Sequence, residues 1–354
     1  MMNKFEVVCC LGLGDAQVYN HLMPIANHPM VSKLWIVRTR KSETGEIPNS
    51  EYVLIPDVWK PLRLLNMLKQ CRRLARRREV GAFVSFNPFP YGLISSMAAS
   101  RSGKPVHFGL IGSDWYRDAK SGVGGFARKR LSKGSFFTVT GKGMREEMIA
   151  DGFDGDKIRV LPHSIDLDAY PLADPAKSDY AAIYVGKLIK LKRVDTIIQA
   201  FERVVAAHPD AKLCIVGRGP LEGELKSLAI SLGLEKNIDF VGYQNNVQPY
   251  LSRAKVNIIA SSREGFPFSL VEGICSGVIP IATPVGTIPD KIQDDENGLI
   301  FPHDDSAALA SCILRLLDEP DTCKRIRENV IMMRDEFSYN AAVEIWDSWF
   351  NVLA

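Results

Sequence analysis

The stretch "VNIIASSREGFPFSLVEGICSGVIPIATPVG" (residues 256–286) predicts the repeating unit of the fold. It begins with a short apolar run, passes through a Gly-Phe-Pro turn, and then carries apolar residues at helical spacing before a second apolar run. A strand, a loop, a helix and a second strand in this order form a βαβ unit, in which the two strands are parallel. The segment therefore indicates an α/β protein with a parallel, doubly wound sheet.

The same alternation continues on both sides of this stretch and forms two series of strands. The first series comprises "FEVVCCLGL", "KLWIVRT", "YVLIP", "GAFVSFNP", "PVHFGLIG" and "SFFTVTG", and the second comprises "AAIYVGKL", "AKLCIVGRG", "NIDFVGY", "VNIIASS", "VIPIATP" and "GLIFP". Helix-length segments such as "KPLRLLNMLKQCRRLARRR" lie between them. The intervening segment "LPHSIDLDAYPLADPAKSD" is rich in Pro, Asp and Ser, which is typical of a linker. We therefore predict two Rossmann-like domains, residues 1–170 and 171–337, which face each other across a cleft.

The composition is that of an ordinary soluble globular protein. The chain has 354 residues, of which 46% are hydrophobic and 24% are charged, and it contains no apolar run long enough to span a membrane. We interpret the start of the chain as a first strand and not as a signal peptide. The seven cysteines are scattered, so we expect reduced thiols and a cytoplasmic protein.

The charge is distributed unevenly along the chain. Residues 1–150 carry 23 Lys and Arg against 11 Asp and Glu, whereas the remainder carries 21 basic and 30 acidic residues. An excess of positive charge in one half suggests that this half faces something anionic. An accidental surface composition is the alternative.

Two strand–loop–helix junctions of the second series are candidate ligand sites, and the first of them is a candidate anion site. In "YVGKLIKLKRVDTII", Gly186 lies at the turn and Lys187 and Lys192 follow it. Free N–H groups at a helix N-terminus and nearby ammonium groups favour phosphate, although a solvated basic loop would look the same. In "CIVGRGPLEGELKSLA", the Gly217-x-Gly219 pair allows either a close approach to a ligand or only a tight turn.

The opening stretch places two carboxylates beside one predicted helix N-terminus. Glu264 lies in the loop, Ser269 is a plausible N-cap, and Glu272 falls near the first turn of the helix. Paired carboxylates accept hydrogen bonds from hydroxyl groups and suit a polyol such as a ribose or a hexose, while free N–H groups of the loop suit a diphosphate. Complementing the helix dipole would explain Glu272 alone, but not Glu264.

Candidate residues in the N-terminal half lie on loops that follow predicted strands. Gly14 follows the first strand, Ser113 and Asp114 follow a later one, and Arg145 adds positive charge near a helix start. Each of these signals is weak alone. Together they place candidate residues on loops that face the predicted cleft.

These residues resemble the GT-B nucleotide-sugar glycosyltransferases of glycosyltransferase family 4. The resemblance covers most of the chain and is strongest in "YVGKLIKLK", in "IVGRGPLEGELKSLAISLGLEKNIDFVGY" and in the glutamate-pair stretch "SSREGFPFSLVEGICSGVIPIATPVGTIPDKIQDDENGLIFP". It implies the GT-B fold, with a C-terminal helix (338–354) that crosses back to the N-terminal domain.

The resemblance also assigns roles to individual residues. Glu264 would contact the donor sugar, Glu272 the nucleotide ribose, and Lys187 and Lys192 the leaving diphosphate. The remaining donor-binding positions would be Gly186, Gly217, Gly265, Phe266, Pro267, Ser269 and Leu270, and the acceptor-side positions would be Gly14, Ser113, Asp114 and Arg145. Two departures stand out, because Lys187 replaces the usual Arg, and Ile111 occupies a position where the family commonly has a histidine.

The reaction implied by the resemblance is a retaining hexosyl transfer from a UDP- or GDP-sugar to a glycan or lipid-linked glycan in surface polysaccharide biosynthesis. Such a transfer needs charge stabilisation and positioning but no protein nucleophile. We predict no metal, no cofactor and no nucleic acid partner. The basic segments "KQCRRLARRR" and "FARKRLSKG" suggest peripheral contact with an anionic membrane at the inner face of the plasma membrane, although a solvated basic helix would show the same pattern. A non-catalytic GT-B binding protein, which Ile111 favours, and a nucleotide-sugar epimerase are the alternatives.

Overall fold

The computed structural model describes residues 4–111 and 131–353, and the chain forms two compact units. The N-terminal unit comprises Met1–Ser164 together with Tyr339–Ala354, and the C-terminal unit comprises Ile165–Ser338. Each unit contains one parallel sheet covered by helices, which confirms the predicted α/β fold class.

The sheet of the N-terminal unit has seven parallel strands in the order β3-β2-β1-β4-β5-β6-β7. The strands are β1 (Phe5–Cys10), β2 (Val31–Arg38), β3 (Ser50–Leu54), β4 (Val80–Phe86), β5 (Val106–Leu110), β6 (Phe136–Val139) and β7 (Ile158–Val160). The described helices are α1 (Asp15–Ala26), α2 (Lys60–Ala75), α3 (Leu93–Ala99), α4 (Lys142–Ala150) and the C-terminal helix (Tyr339–Leu353). All six predicted strands are present, whereas β7 is an additional strand of three residues.

The C-terminal unit contains a six-stranded parallel sheet in the order β10-β9-β8-β11-β12-β13. Its strands are β8 (Tyr180–Val185), β9 (Leu213–Val216), β10 (Ile238–Gly242), β11 (Ala254–Ile259), β12 (Ile279–Ala282) and β13 (Leu299–Ile300). Its helices are α5 (Val194–Ala207), α6 (Glu222–Ser231), α7 (Gln248–Leu251), α8 (Phe268–Cys275), α9 (Ser306–Asp318) and α10 (Pro320–Met332). The segment that predicted the fold is therefore β11, a loop, α8 and β12, with β11 and β12 paired in parallel.

The boundary between the units lies between residues 164 and 165, six residues before the predicted one. Ile165 is fully buried in the core of the C-terminal unit, and its N–H donates to the carbonyl of Phe337 at 2.8 Å. Tyr170 packs against the same core. The start of the linker-like segment is thus held by apolar burial in the C-terminal unit, which its polar composition did not indicate.

The C-terminal helix completes the core of the N-terminal unit. Trp346, Trp349 and Phe350 are buried on the same side of the sheet as α1, and Phe350 meets Phe5 edge-to-face at 5.4 Å. The hydroxyl of Tyr339 also bonds to Asn20 of α1. No helix in the described ranges, 4–111 and 131–353, combines the length and apolar character needed to cross a membrane.

Candidate functional site

Four loops converge at the carboxyl edge of the C-terminal sheet, because parallel strands end on the same side. The loops follow β8, β9, β11 and β12, and backbone hydrogen bonds join them in pairs. Gly186 N donates to Val216 O at 2.9 Å, and Ser262 N donates to Leu191 O at 2.9 Å. Gly265 O accepts from the N–H of Thr287 at 3.0 Å. This edge therefore brings together the candidate residues that lie in four separate segments of the sequence.

Gly217 and Gly219 serve the packing of these loops against each other. Gly217 has a φ of +147°, and a Cβ there would lie 1.8 Å from the carbonyl oxygen of Gly186. A Cβ at Gly219 would lie 2.2 Å from the carbonyl oxygen of Leu188. Close approach between the backbones of two loops thus accounts for both glycines, a role that neither of the two sequence-based explanations named.

Lys192 and Glu264 form an ion pair in this cluster. The Lys192 ammonium contacts Glu264 Oε1, and the hydroxyl of Ser261 donates to the same oxygen at 2.9 Å. Their side chains are only 20% and 14% exposed. Glu264 Oε2 has no hydrogen-bond partner among the described residues, so it can accept from a ligand hydroxyl. Sequence reasoning did not single out Ser261, whose only signal is its place at the end of a buried strand.

Lys187 differs from Lys192 because its ammonium is exposed and pairs with no carboxylate in the part of the chain that the structure describes. Its backbone is fixed by the Tyr184 hydroxyl, which donates to Lys187 O at 3.0 Å. Lys187 borders a pocket of about 530 Å³ lined also by Gly186, Gly217, Arg218, Tyr243 and Gln244. An uncompensated cation thus lies beside a cavity that could hold an aromatic ring.

The neighbouring basic residue Arg193 is already neutralised. It adopts the left-handed conformation (φ +50°) just before α5, and its guanidinium bonds to Asp195 and Asp304. Arg193 therefore contributes to local structure. Lys192 keeps further N–H donors beside its ion pair with Glu264, and Lys187 has no carboxylate partner in the described part of the chain, so these two lysines are the cations that an anion can meet.

Glu272 lies at the start of the second turn of α8. The hydroxyl of Tyr170 donates to Glu272 Oε1 at 2.7 Å, and Oε2 has no partner among the described residues. Burial raises the pKa of this carboxyl group to about 7, and the hydrogen bond from Tyr170 opposes that shift. The contact spans 102 residues of sequence, so nothing in the local pattern around Glu272 could indicate Tyr170.

The predicted N-cap of this helix was wrong. Pro267 is the N-cap residue of α8, without a side-chain hydrogen bond, and Ser269 lies inside the first turn, where its carbonyl accepts from Asn257 at 2.8 Å. Leu270 is fully buried, and Phe266 is 2% exposed and stacks on Phe337. The side chains of Phe266 and Leu270 thus belong to the core, and only their backbone is left to meet a ligand.

The Gly265–Pro267 turn is shaped by the loop after β12. Gly265 O accepts from both the N–H and the hydroxyl of Thr287, at 3.0 and 3.1 Å. Gly286 has a φ of +60°, and a Cβ there would lie 2.1 Å from the carbonyl oxygen of Glu264. Gly286 and Thr287 are therefore supporting residues that sequence reasoning left without a role.

The two Asp-x-Asp triplets of the chain form turns. Asp154 and Asp166 each accept from the N–H two residues later, at 3.1 and 3.0 Å, and so begin short 3₁₀ segments. These aspartates act as caps in the structure.

Of the four acceptor-side residues predicted in the N-terminal unit, Gly14 and Arg145 lie in the described part of the chain. Gly14 is the exposed N-cap position of α1, and a Cβ there would meet nothing closer than 3.8 Å. Ser113 and Asp114 lie outside the described residues. The Arg145 guanidinium donates to Gly155 O and Ile158 O at 3.1 and 3.4 Å, which places it at the amino end of β7. Arg145 therefore points away from the carboxyl edge, and its predicted acceptor-side role has no structural support.

Ile111, at the position where a histidine was expected, is partly buried and packs against the core of the N-terminal unit. The nearby His107 is also a core residue. Its Nε2 lies 2.9 Å from Thr138 Oγ1, its ring meets Trp346 at 4.7 Å, and burial lowers its pKa to about 3. A neutral, enclosed imidazole of this kind does not replace a histidine in a strand-end loop.

Part of the chain matches a known protein family and is similar to characterised proteins. Residues 173–332 match the family described as "Glycosyl transferases group 1". N-acetyl-alpha-D-glucosaminyl L-malate synthase of Bacillus anthracis is 31% identical over 153 residues, which are 43% of this chain and 40% of that protein. The Campylobacter jejuni N-acetylgalactosamine-N,N'-diacetylbacillosaminyl-diphospho-undecaprenol 4-alpha-N-acetylgalactosaminyltransferase is 26% identical over 342 residues, covering 90% of this chain and 91% of that one.

The whole chain also resembles solved structures. Anabaena HepE, solved in complex with UDP and glucose, superposes with a TM-score of 0.77 over 97% of this chain and 98% of its own, at 15% identity. The chain spans less than half of the length of the first curated relatives that it matches. Residues 173–332 of the C-terminal unit therefore match the group 1 glycosyltransferase family, and the chain as a whole has the GT-B fold.

Proposed function

We propose that the protein is a retaining, metal-independent hexosyltransferase of the family 4 type, which uses a UDP- or GDP-sugar and a glycan or lipid-linked glycan acceptor in surface polysaccharide biosynthesis. The observation that carries this proposal is the Lys192–Glu264 pair beside the exposed Lys187, on one sheet edge with Glu272. UDP in the HepE complexes favours uridine as the base. The undecaprenol diphosphate in the name of the Campylobacter relative favours a lipid-linked acceptor.

Each group at this edge fits one part of a nucleotide-sugar. Glu264 Oε2 is available to a sugar hydroxyl, and Glu272 Oε2 to a ribose hydroxyl. The pocket next to Lys187, with Tyr243 and Arg218 on its walls, is large enough for a base. The N–H groups at the start of α8 and the two lysines would meet the diphosphate between them.

The proposed reaction breaks the bond between the anomeric carbon and the diphosphate oxygen while the acceptor oxygen bonds to the same face of that carbon. The acceptor proton passes to the departing phosphate oxygen, so no protein nucleophile is required. What the protein must supply is stabilisation of the negative charge that develops on the leaving group. We assign this task to Lys187 and Lys192, and we propose that no metal ion takes part.

A calorimetric screen with UDP, GDP and their glucose and galactose derivatives, followed by a donor-hydrolysis assay, tests the proposal. We expect one nucleotide series to bind and its sugar to be hydrolysed slowly in the presence of a chelator. Lys192→Ala should lower the hydrolysis rate by about 100-fold or more with a smaller loss of donor affinity. Lys226→Ala is the matched control, because this lysine pairs with Glu222 on the surface of α6.

Failure to bind any nucleotide would overturn the proposal. A non-catalytic binding protein is the second candidate, because Ile111 stands where family members commonly carry a histidine. That candidate predicts donor binding without hydrolysis or transfer to any acceptor. The two outcomes of the assay therefore separate the candidates.

A further inference from the structure

Helix α2 and the loop before it expose large apolar side chains to solvent. Trp59 is 78% exposed, Leu65 62%, Leu62 49% and Val58 38%. The residues lie within eight positions of one another, so they form a patch and are not scattered singly. Contiguous exposed apolar side chains of this size mark an interaction surface.

The apolar residues continue into a basic stripe on the same face of the helix. Leu62, Leu65, Lys69 and Arg73 follow one another at three- and four-residue intervals and are all exposed. The opposite face is the buried one, with Met67, Cys71 and Leu74. Helix α2 therefore packs on the sheet with one side and presents apolar and cationic groups to solvent with the other. We call Val58, Trp59, Leu62, Leu65, Lys69 and Arg73 the α2 surface.

Most of the positive charge of this region is not offset by acidic partners in the described part of the chain. Residues 60–78 contain eight Lys and Arg and no Asp or Glu. Arg63 pairs with Asp57, and Arg77 pairs with Glu6. The other exposed cations of the segment have no acidic partner in the described part of the chain, and they are Lys60, Lys69, Arg73, Arg76 and Arg78. A surface of this kind attracts an anionic partner.

The α2 surface also adjoins the carboxyl edge of the N-terminal sheet. Helix α2 follows β3, the edge strand of that sheet, and the loops after β1 and β4 end at the same edge. Open parallel sheets bind their ligands at this edge. A partner held by the α2 surface would thus be close to the acceptor-binding side of the unit.

We propose that the α2 surface docks the protein onto an anionic lipid bilayer. An exposed tryptophan and leucines flanked by lysine and arginine have the chemistry of an interfacial helix, whose apolar side chains enter the boundary between headgroups and acyl chains. The unpaired cations then meet lipid phosphates. Charge complementarity over many residues, together with apolar groups that project outward, favours a lipid surface over an acidic protein. The inference goes beyond the proposed transfer reaction, because docking requires no turnover.

Sedimentation with vesicles tests the docking. Vesicles of phosphatidylcholine with about 30 mol% phosphatidylglycerol should retain the protein at about 50 mM NaCl and lose most of it at about 500 mM, and pure phosphatidylcholine should bind it weakly. Tryptophan emission should shift to shorter wavelength on binding. The measurement uses a Trp115→Phe background, because Trp115 lies outside the described residues, and Trp35, Trp346 and Trp349 are already buried. In that background the shift should vanish when Trp59→Phe is added.

Paired variants locate the contact. Trp59→Ala with Leu65→Gln should weaken vesicle binding by about 10-fold or more, as should Lys69→Glu with Arg73→Glu. Ile230→Gln and Lys236→Glu, at exposed positions of the C-terminal unit, are the matched controls and should bind normally. Circular dichroism and nucleotide binding would establish that each variant is folded.

Three results would overturn the proposal. They are an absence of binding to anionic vesicles, binding that the α2 variants leave unchanged, and concentration-dependent self-association that the same variants abolish without vesicles present. Because nucleotide binding is measured separately, a protein that binds a donor but no vesicles removes only this inference and leaves the proposed function standing.

Discussion

Glu272 shows how burial tunes a single residue. Its carboxyl group has a pKa raised to about 7 by burial, and Tyr170 stabilises the ionised form through one hydrogen bond. Between the ordinary pKa of a glutamate and about pH 7, the folded chain keeps this proton and the unfolded chain releases it. The free energy of unfolding therefore falls as pH rises through this range. A ribose hydroxyl that donates to the carboxylate would favour the ionised form and oppose this cost.

Donor affinity should therefore rise with pH through neutrality. We expect UDP-glucose, whose diphosphate does not titrate in this range, to bind more tightly at about pH 8 than at about pH 6, by up to about 10-fold. Tyr170→Phe should move the midpoint to higher pH, because it removes the hydrogen bond that lowers the pKa. Titration calorimetry across this range measures both effects.

Glu272→Gln is the matched variant for this experiment. It should bind UDP-glucose about 1–3 kcal/mol more weakly at high pH and show little pH dependence. A pH profile that persists unchanged in Glu272→Gln would assign the titration to another group and contradict the ribose role.

At the scale of elements, the loops at the carboxyl edge of the C-terminal sheet act as a packed layer. Gly217→Ala should force the loop after β9 away from Gly186, because its Cβ would lie 1.8 Å from a carbonyl oxygen and its φ of +147° disfavours a side chain. We expect a loss of about 1–3 kcal/mol in the free energy of unfolding and at least about 10-fold in donor affinity. Chemical denaturation and calorimetry measure the two losses.

Gly223→Ala provides the control within the same unit. Gly223 lies in α6, and a Cβ there would meet nothing within 4 Å. Alanine at this helical position should leave the free energy of unfolding unchanged or raise it by about 0.5 kcal/mol. Equal losses in both variants would show that the contact between the loops is not the cause.

The strands were predictable from sequence where burial on both faces requires a run of apolar residues. Strands such as β8 and β9 are buried on both faces and appear as continuous apolar runs, and such runs allowed the sheets to be predicted. Strand β7 has only three residues, and two of them are partly exposed, so it left no such pattern. The helix start at Phe268 escaped prediction because Pro267 takes the N-cap position that Ser269 would ordinarily suggest.

The candidate site was predictable only in part, because the sequence indicates which residues lie at strand ends but not which side chains they contact. Glu264, Glu272 and the lysines lie at strand ends and helix starts, where topology alone brings residues to one edge. Their partners Ser261, Tyr170 and Thr287 act through contacts that depend on the folded loops. The acceptor-side role predicted for Arg145 lacks structural support, because its long side chain reaches the carbonyl groups of Gly155 and Ile158.

At the scale of the whole molecule, the last helix of the chain belongs to the first unit. Trp346 is fully buried there, and its ring meets those of His107, Phe86 and Phe350 at 4.7, 6.4 and 5.5 Å. The N-terminal unit therefore reaches its full stability only when the end of the chain has been added to its core.

Trp346→Ala should destabilise the N-terminal unit selectively. Removing this side chain from a closed core costs about 3–5 kcal/mol, and its indole N–H has no partner that would be left unpaired. We expect scanning calorimetry to show one transition at a lower temperature and a second that is unchanged, with UDP binding retained after the first. Val352→Ala, at an 80% exposed position of the same helix, should alter neither transition. A shift of the UDP-stabilised transition in Trp346→Ala would contradict the assignment of this helix to the N-terminal unit.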